Sequence, residues 1–129
     1  MAQEGLYLLK LSFTPPAGTT GAGRMILAVT VNASSGELHG QAVGTIHEGT
    51  QHPLAFTAPA AGAMHSTGYD KITKVGAVHG EAAVSVAPPA IGTYLAPFVA
   101  SFALHADWTG HGQFTVGSDT YKCEVRMVD

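Results

Sequence analysis

Seven histidines are the side chains in this sequence most able to do chemistry. An imidazole can ligate zinc, carry a proton near neutral pH or hydrogen-bond a polar ligand. Neither close pair, His47 with His52 or His105 with His111, has a Cys or acidic partner at a standard zinc-ligand spacing. We therefore predict no metal and no cofactor, and expect surface or hydrogen-bonding histidines; a group gathered in space would titrate together at about pH 6. The full set is His39, His47, His52, His65, His79, His105 and His111.

The segment 105–112 is a candidate binding site because it holds the one tryptophan of the chain, Trp108. An exposed indole ring beside Asp107 and two imidazoles would suit a sugar or another small polar ligand with an apolar face. The structural alternative, which we favour, is a Trp108 ring packed over the end of a barrel, with Asp107 starting the turn. A second candidate is the predicted loop 65–71. Together the candidate ligand-binding residues are Trp108, Asp107, His105, His111, Tyr69 and Asp70.

Signatures of catalysis are missing from the sequence. Cys123 lies in an alternating strand, where a thiol acts as a small buried hydrophobe rather than an exposed nucleophile. No Gly-x-Ser-x-Gly motif occurs, and the nine carboxylates include no close pair at the end of an apolar strand. Gly21 to Gly23 lack the helix that a dinucleotide-binding loop must open. We predict that the protein is not an enzyme.

Composition limits the fold and the partners. The chain has 129 residues, 46% hydrophobic and 12% charged, so we expect one domain, 1–129, with a real core. The 16 glycines and 7 prolines exclude a helical bundle and favour short elements joined by tight turns. Six scattered Lys and Arg residues and a net charge of −3 argue against nucleic-acid binding.

The sequence also bears on cellular location. Its first residues lack the positive start and apolar stretch of a secretory signal. The most apolar stretch, 91–106, is too short and too interrupted for a membrane-spanning helix. Cys123 has no second cysteine to pair with, which fits a reducing compartment. We expect a cytoplasmic protein with no membrane span, although export by a route without a cleaved signal would leave the same pattern.

Alternation of apolar and polar residues recurs along the chain and predicts β-strands throughout. The clearest hairpin joins strands 24–32 and 38–47 through a turn at 33–37, with Gly36 available for positive φ. The small residues that share a face with Leu38 and Ile46 indicate a tightly bent strand or a close neighbour across the core. About eight strands at roughly ten-residue spacing predict an all-β fold, either an antiparallel β-sandwich or a small β-barrel.

Two further segments carry specific expectations. Pro59 should divide the chain after Pro53 into two short strands, 54–57 and 62–69. In the last strand, 120–128, alternation predicts an inward row and a water-facing row. The inward row is Tyr121, Cys123, Val125 and Met127.

The segment 94–106 is apolar on both faces, unlike a strand with one solvent-facing side. One face carries Tyr94, Phe98, Phe102 and Leu104; the other carries Leu95, Val99 and Ala103. Burying an exposed Leu or Val is worth roughly 1.5–3 kcal/mol, so we expect the second set to contribute to a homo-oligomeric interface. Pro97 marks an edge or a bulge, because proline donates no ladder hydrogen bond.

Two functions follow as hypotheses. The first is a non-catalytic β-sheet module that self-assembles into a homo-oligomer and serves a structural or interaction role, with strands pairing between copies. The alternative is a small-ligand or carbohydrate-binding, lectin-like protein that uses the Trp108 turn. A glycan array with a tryptophan fluorescence titration would discriminate the two.

The sequence also resembles two known families. Leu27 to Gly40, with Ser-Gly-Glu-Leu-His-Gly at the return, is similar to the first hairpin of the avidin barrel, while the rest of the avidin binding pattern is missing. A larger part of the chain resembles an uncharacterised bacterial family, domain of unknown function 1842. The resembling parts are Gly5-Leu6-Tyr7-Leu8, Leu38-His39-Gly40-Gln41-Ala42 leading toward Pro53, and Asp107-Trp108 before Gly112-Gln113-Phe114. It departs at Pro53, where a paired proline is expected, and it implies a bacterial β-protein with no assigned activity or site residues.

Overall fold

Eight β-strands account for the regular structure of the described residues, and no helix occurs among them. The computed structural model describes residues 5–16, 22–48, 54–67, 73–86 and 92–128. The strands are β1 (Leu6–Thr14), β2 (Ala22–Asn32), β3 (Glu37–Glu48), β4 (Leu54–Ser66), β5 (Lys74–Val86), β6 (Gly92–Leu104), β7 (Thr109–Val116) and β8 (Asp119–Met127). The all-β prediction is confirmed.

The strands close into one antiparallel barrel in which each strand pairs with its neighbours in chain order. Closure joins β1 to β8 from Leu11 opposite Met127 to Thr14 opposite Glu124. Antiparallel neighbours need only hairpin connections, so this up-and-down order requires no crossover. Of the two predicted architectures, the small β-barrel is the one that forms.

Inward side chains fill the barrel with apolar groups. Phe114 lies at the centre of an aromatic cluster, with ring centroids 6.3 Å from Phe13, 5.8 Å from Phe56 and 5.2 Å from Tyr121. Phe56 in turn contacts Phe98 at 5.9 Å. An eight-stranded barrel has an interior just wide enough for side chains. The described strands therefore enclose a packed core.

Glycines allow β3 to curve against β2. A Cβ atom on Gly40 would collide with the carbonyl oxygen of Ala28, and a Cβ atom on Gly44 would collide with that of Arg24. Only glycine permits this approach, and such residues are where strands bend to close a barrel. Of the two predicted alternatives, the close neighbour is observed, and it is the adjacent strand β2 rather than one across the core.

The turn between β2 and β3 also forms as predicted. Gly36 has a φ of +81°, which favours glycine. The Asn32 side-chain oxygen accepts hydrogen bonds from the N–H groups of Ser34 (3.1 Å) and Ser35 (3.3 Å). These bonds satisfy backbone donors within the turn and fix the hairpin.

β4 corrects one prediction, because residues 54–66 form a single strand through Pro59. The N–H of Met64 donates to the carbonyl of Gly36 at 2.8 Å, so even-numbered residues of β4 bond toward β3 and odd-numbered ones toward β5. The ladder with β5 is interrupted between Thr57 and Ala61. Pro59 therefore lies where no backbone donor is needed.

Pro97 lies where the pairing of β6 changes, because β5 pairs with all of β6 from Gly92 to Leu104. The ladder between β6 and β7 begins at Phe98, opposite Val116. The Pro97 carbonyl accepts the N–H of Gly117 at 2.9 Å, just beyond the end of β7. Proline is tolerated there because the missing donor falls at the end of a ladder. Among the described residues, Pro97 therefore marks the start of an edge on the β7 side of β6, as predicted, rather than a bulge.

β8 follows the predicted alternation with one exception. Tyr121, Cys123 and Val125 are buried. Met127 is 48% exposed, because it lies at the end of the strand, where the barrel no longer covers it.

Candidate functional site

The turn from His105 to Trp108 joins β6 to β7 and carries three of the predicted ligand residues, His105, Asp107 and Trp108. The N–H of Trp108 donates to the carbonyl of His105 at 3.0 Å, and the Trp108 carbonyl accepts the N–H of Met127 at 3.0 Å. Trp108 has a φ of +65°, a conformation that bulky residues rarely adopt. These hydrogen bonds hold a backbone that costs free energy to form.

Asp107 starts this turn. Its carboxylate accepts hydrogen bonds from the hydroxyl of Thr109 at 2.7 Å and from the N–H of Thr109 at 3.1 Å. Both bonds favour the charged carboxylate and hold the pKa of Asp107 below its ordinary value. The group thus acts as the turn-starting residue of the structural alternative.

The Trp108 ring packs against the core at the end of the barrel and is half-buried. The Lys74 ammonium lies 4.3 Å from the ring centroid, where the electrons of the ring attract a cation. The ring is therefore covered by β5 and the core. This is the packed tryptophan that we favoured, and it differs from the exposed platform that a sugar would need.

His111 lines two adjoining hollows on the outer surface, one of which His105 also lines, and we call the two together the β7–β8 groove. One hollow of about 490 Å³ includes His105, His111, Glu124 and Arg126 in its lining. A second hollow of about 510 Å³ shares His111 and Glu124 with the first. Its other polar lining residues are Ser101, Gln113 and Lys122. Neither hollow is lined by Trp108 or Asp107.

Strand register builds this groove. His111 lies directly opposite Glu124, and Gln113 lies opposite Lys122. On the inner side of β7, a Cβ on Gly112 would come within 2.9 Å of the Phe13 ring, so the strand lies close to the core. The groups are open to water and can hydrogen-bond a polar ligand, whereas acid–base catalysis usually relies on enclosed groups.

The structure thus brings together part of the predicted ligand set. His105 and His111 share the groove, Trp108 and Asp107 lie outside it, and Tyr69 and Asp70 lie outside the described residues. Sequence reasoning missed Ser101 and Gln113 as groove residues. The alternation of β8 gave a partial signal, because it placed Lys122 and Glu124 on the outside.

The outer surface of β5 and β6 carries a β5–β6 apolar face, formed by Val75, Ala77, Ala83, Leu95, Val99 and Ala103. Leu95 is 64% exposed and Val99 is 50% exposed, while Ala103 is half-buried. Ala83 pairs directly with Leu95, and Val75 pairs with Ala103. Of the ten outward positions 75–83 and 95–103, one holds a formally charged residue, Glu81.

Leu6 and Leu8 form a second exposed apolar site that sequence reasoning missed. They are 69% and 68% exposed on the outer side of β1. Leu6, Leu8 and Lys10 are alternate residues of β1 and therefore lie on the same face of the strand. Since Lys10 faces outward, the alternation could have predicted that both leucines do as well. The continuous apolar run 6–9 concealed it.

Cys123 behaves as the buried hydrophobe that its position predicts. The side chain is 4% exposed, and its sulfur lies 3.7 Å from the carbonyl oxygen of Gly23. Burial raises the pKa of the thiol to about 11. A reactive thiolate at neutral pH requires the opposite shift.

Across the described ranges, no three His, Cys, Asp or Glu side chains gather in a way that could hold a metal ion. The same residues contain no helix long and apolar enough to cross a membrane. Comparison with family models and with curated proteins finds no match for this chain. The resemblance to domain of unknown function 1842 therefore stays a prediction.

Proposed function

We propose that this protein is a non-catalytic β-barrel module that self-associates through the β5–β6 apolar face and serves a structural or interaction role. The observation that carries the proposal is the exposure of Leu95 and Val99, with Ala83 opposite Leu95 and His79 opposite Val99. Each side chain gains roughly 1.5–3 kcal/mol on full burial, so two or three per copy support association.

The closed barrel specifies how this contact forms. β6 pairs with β5 along its whole length and with β7 from Phe98 to Leu104. Because its backbone is paired on both sides at Val99 and Ala103, copies meet at these residues by packing side chains rather than by pairing strands. Low charge on this face supports such packing, because few ionised groups have to lose water.

Sedimentation velocity on two matched variants tests the proposal. Leu95→Lys with Val99→Lys places two charges on the apolar face and should lower the mass of the assembly. Thr30→Lys with Gln41→Lys makes the same charge change at exposed positions of β2 and β3, away from β5 and β6, and should leave the mass unaltered. A wild-type chain that sediments at 13.2 kDa at high micromolar concentration would contradict self-association.

A second candidate function is binding of a small polar ligand, such as a sugar, in the β7–β8 groove. The observation that favours it is the convergence of His111, Glu124, Gln113 and Lys122 on one depression. Because Trp108 lies outside the groove lining, tryptophan fluorescence would report poorly on this site.

Imidazole resonances in NMR spectra give a direct measurement for this candidate. Titration with a panel of methyl glycosides at millimolar concentration should shift the His111 signals, and His111→Ala should abolish binding. His39→Ala, an exposed histidine of β3, is the matched control. No shift for any glycoside, or unchanged binding by His111→Ala, would exclude sugar binding in the groove.

A further inference from the structure

The first half of β1 has a hydrogen-bonded neighbour on one side. β2 pairs with β1 along nearly all of its length. On the other side, β8 pairs with Leu11–Thr14, and one further bond runs from the N–H of Val128 to the carbonyl of Lys10 at 2.9 Å. Among the described residues, no strand lies beside Leu6–Leu8 on the side away from β2.

The backbone groups of Leu6 and Leu8 point toward this open side. Successive residues of an antiparallel strand direct their N–H and C=O groups to opposite neighbours. The Gly5 carbonyl accepts the N–H of Ala33 at 2.8 Å and thus bonds toward β2, whereas Lys10 bonds toward β8. Leu6 and Leu8 share the parity of Lys10, so their donors and acceptors line the open edge.

The side chains of this segment do nothing to protect the edge. Proteins usually guard such edges with charged residues, proline or a bulge. From Gly5 to Leu9 the chain has none of these, and the two outward leucines are the most exposed large apolar side chains described. An unguarded edge of this kind accepts an extended strand through main-chain hydrogen bonds.

We propose that this β1 edge, Leu6–Leu8, pairs in antiparallel fashion with the same edge of a second copy. A two-fold axis at Tyr7 places Leu6 opposite Leu8 of the partner subunit, and Leu8 opposite Leu6 of the partner subunit. In both pairs the backbone N–H and C=O groups of the two residues point toward each other. The residues can therefore exchange both hydrogen bonds in this register.

In this register the leucine side chains of the two copies also lie opposite each other. This match between identical segments favours a second copy as the partner. Leu6 and Leu8 of both chains gather on the outer surface as directly opposed apolar pairs, the arrangement that stabilises cross-strand contacts. A two-fold interface requires a self-complementary patch, and this one is self-complementary in backbone phase and in side-chain character.

This contact is separate from the β5–β6 apolar face. β1 and β5 lie four strands apart in a closed order of eight, on opposite walls of the barrel. The two contacts use different residues, so either one can form without the other.

A disulfide tests the register directly. Residues facing each other in a pair without hydrogen bonds have Cα atoms about 4.5 Å apart, within the range that a disulfide spans. In a Cys123→Ala background, Tyr7→Cys should yield a covalent dimer on mild oxidation. Thr30→Cys, at an exposed position of β2, is the matched control and should remain monomeric. No cross-link at position 7, or equal cross-linking at both positions, overturns the proposal.

Hydrogen exchange reports on the unmodified protein. The amides of Leu6 and Leu8 should become at least tenfold more protected as protein concentration rises into the range where the dimer forms. Those of Tyr7 and Leu9, which bond to β2, should not change. Protection of Leu6 and Leu8 that is independent of concentration would mean that this chain itself covers the edge, and would overturn the proposal.

Sedimentation separates this contact from the proposed function. If both contacts form, Leu6→Lys with Leu8→Lys and Leu95→Lys with Val99→Lys each reduce the assembly to a dimer, and the four changes together give a monomer. A mass unaffected by the β1 changes overturns the edge contact. A mass unaffected by the β6 changes overturns the proposed function and leaves the edge contact standing.

Discussion

β6 and β8 both direct apolar side chains into the barrel, which we call the inner row of each strand. The side chains that they direct to the outside, the outer rows, differ in polarity. Phe98 and Phe102 of β6 are buried in the barrel, as are Cys123 and Val125 of β8. Outside, β8 carries charged residues at alternate positions, whereas β6 carries Leu95 and Val99. The barrel requires only the inner row to be apolar, so the outer row is free to serve another purpose. On β8 the outer row is charged, and on β6 it forms the face that we propose for self-association.

The largest effect should separate the two faces of β6. Phe98→Ala removes a fully buried ring from the aromatic cluster and should lower the free energy of unfolding by about 3–5 kcal/mol. Val99→Ala removes an exposed side chain and should cost less than about 0.5 kcal/mol when the chain is monomeric. Urea unfolding at the lowest usable protein concentration measures both. Equal losses would contradict the assignment of the two rows.

A loss of stability at alkaline pH, of intermediate size, should distinguish the inner row of β8 from that of β6. The inner row of β8 contains a titratable thiol, Cys123. The pKa of Cys123 rises from its ordinary 9.0 to about 11 because of burial. Above pH 9 the unfolded chain loses this proton while the folded chain keeps it, so stability falls between about pH 9 and 11. Two pKa units correspond to about 2–3 kcal/mol.

Cys123→Ala provides the control for this pH dependence. The variant has no thiol to ionise, so its free energy of unfolding should fall less steeply across the same interval. Tyr121, whose pKa is raised to about 12 chiefly by burial, contributes equally to both proteins. The same slope in the variant and the parent would show that Cys123 does not cause the alkaline loss.

The smallest effect concerns the turn in which β6 ends and to which β8 is hydrogen-bonded. Because Trp108 has a φ of +65°, Trp108→Gly should be more stable than Trp108→Ala by about 1 kcal/mol. Both variants lose the ring contact with Lys74 and the core, so their difference isolates the backbone. Thermal unfolding of the pair measures it, and an alanine variant equal to the glycine variant would contradict the strained turn.

Local patterns predicted much of this molecule. The hairpin of β2 and β3, the close approach at the glycines of β3 and the burial of Cys123 all follow from alternation and from the properties of glycine. The division of β4 at Pro59 was predicted wrongly, because proline breaks a strand only when its missing N–H faces a continuous ladder. Whether the missing N–H of Pro59 would face a continuous ladder depends on how β4 pairs with β3 and β5. A local sequence pattern carries no information about that pairing.

One candidate site could be predicted from a local pattern and the other could not. The exposure of Leu95 and Val99 could be predicted from β6 alone. Side chains alternate along a strand, so the residues between the buried ones face outward. The β7–β8 groove could not be predicted in this way, because it combines residues of β6, β7 and β8 through their register.

The sequence by itself determined that the chain forms antiparallel strands with a buried face, since side-chain direction alternates along any strand. Their length, 8 residues in β7 and 13 in β6, exceeds the short elements that composition favoured. Only the tertiary structure decided between a barrel and a sandwich, because β1 and β8 are more than a hundred residues apart and pair only after the strands between them assemble. It also decided that Trp108 is covered, because Lys74 reaches it from β5. Among the described residues, closure also left Leu6–Leu8 without a paired strand on the side away from β2, since β8 pairs with the second half of β1.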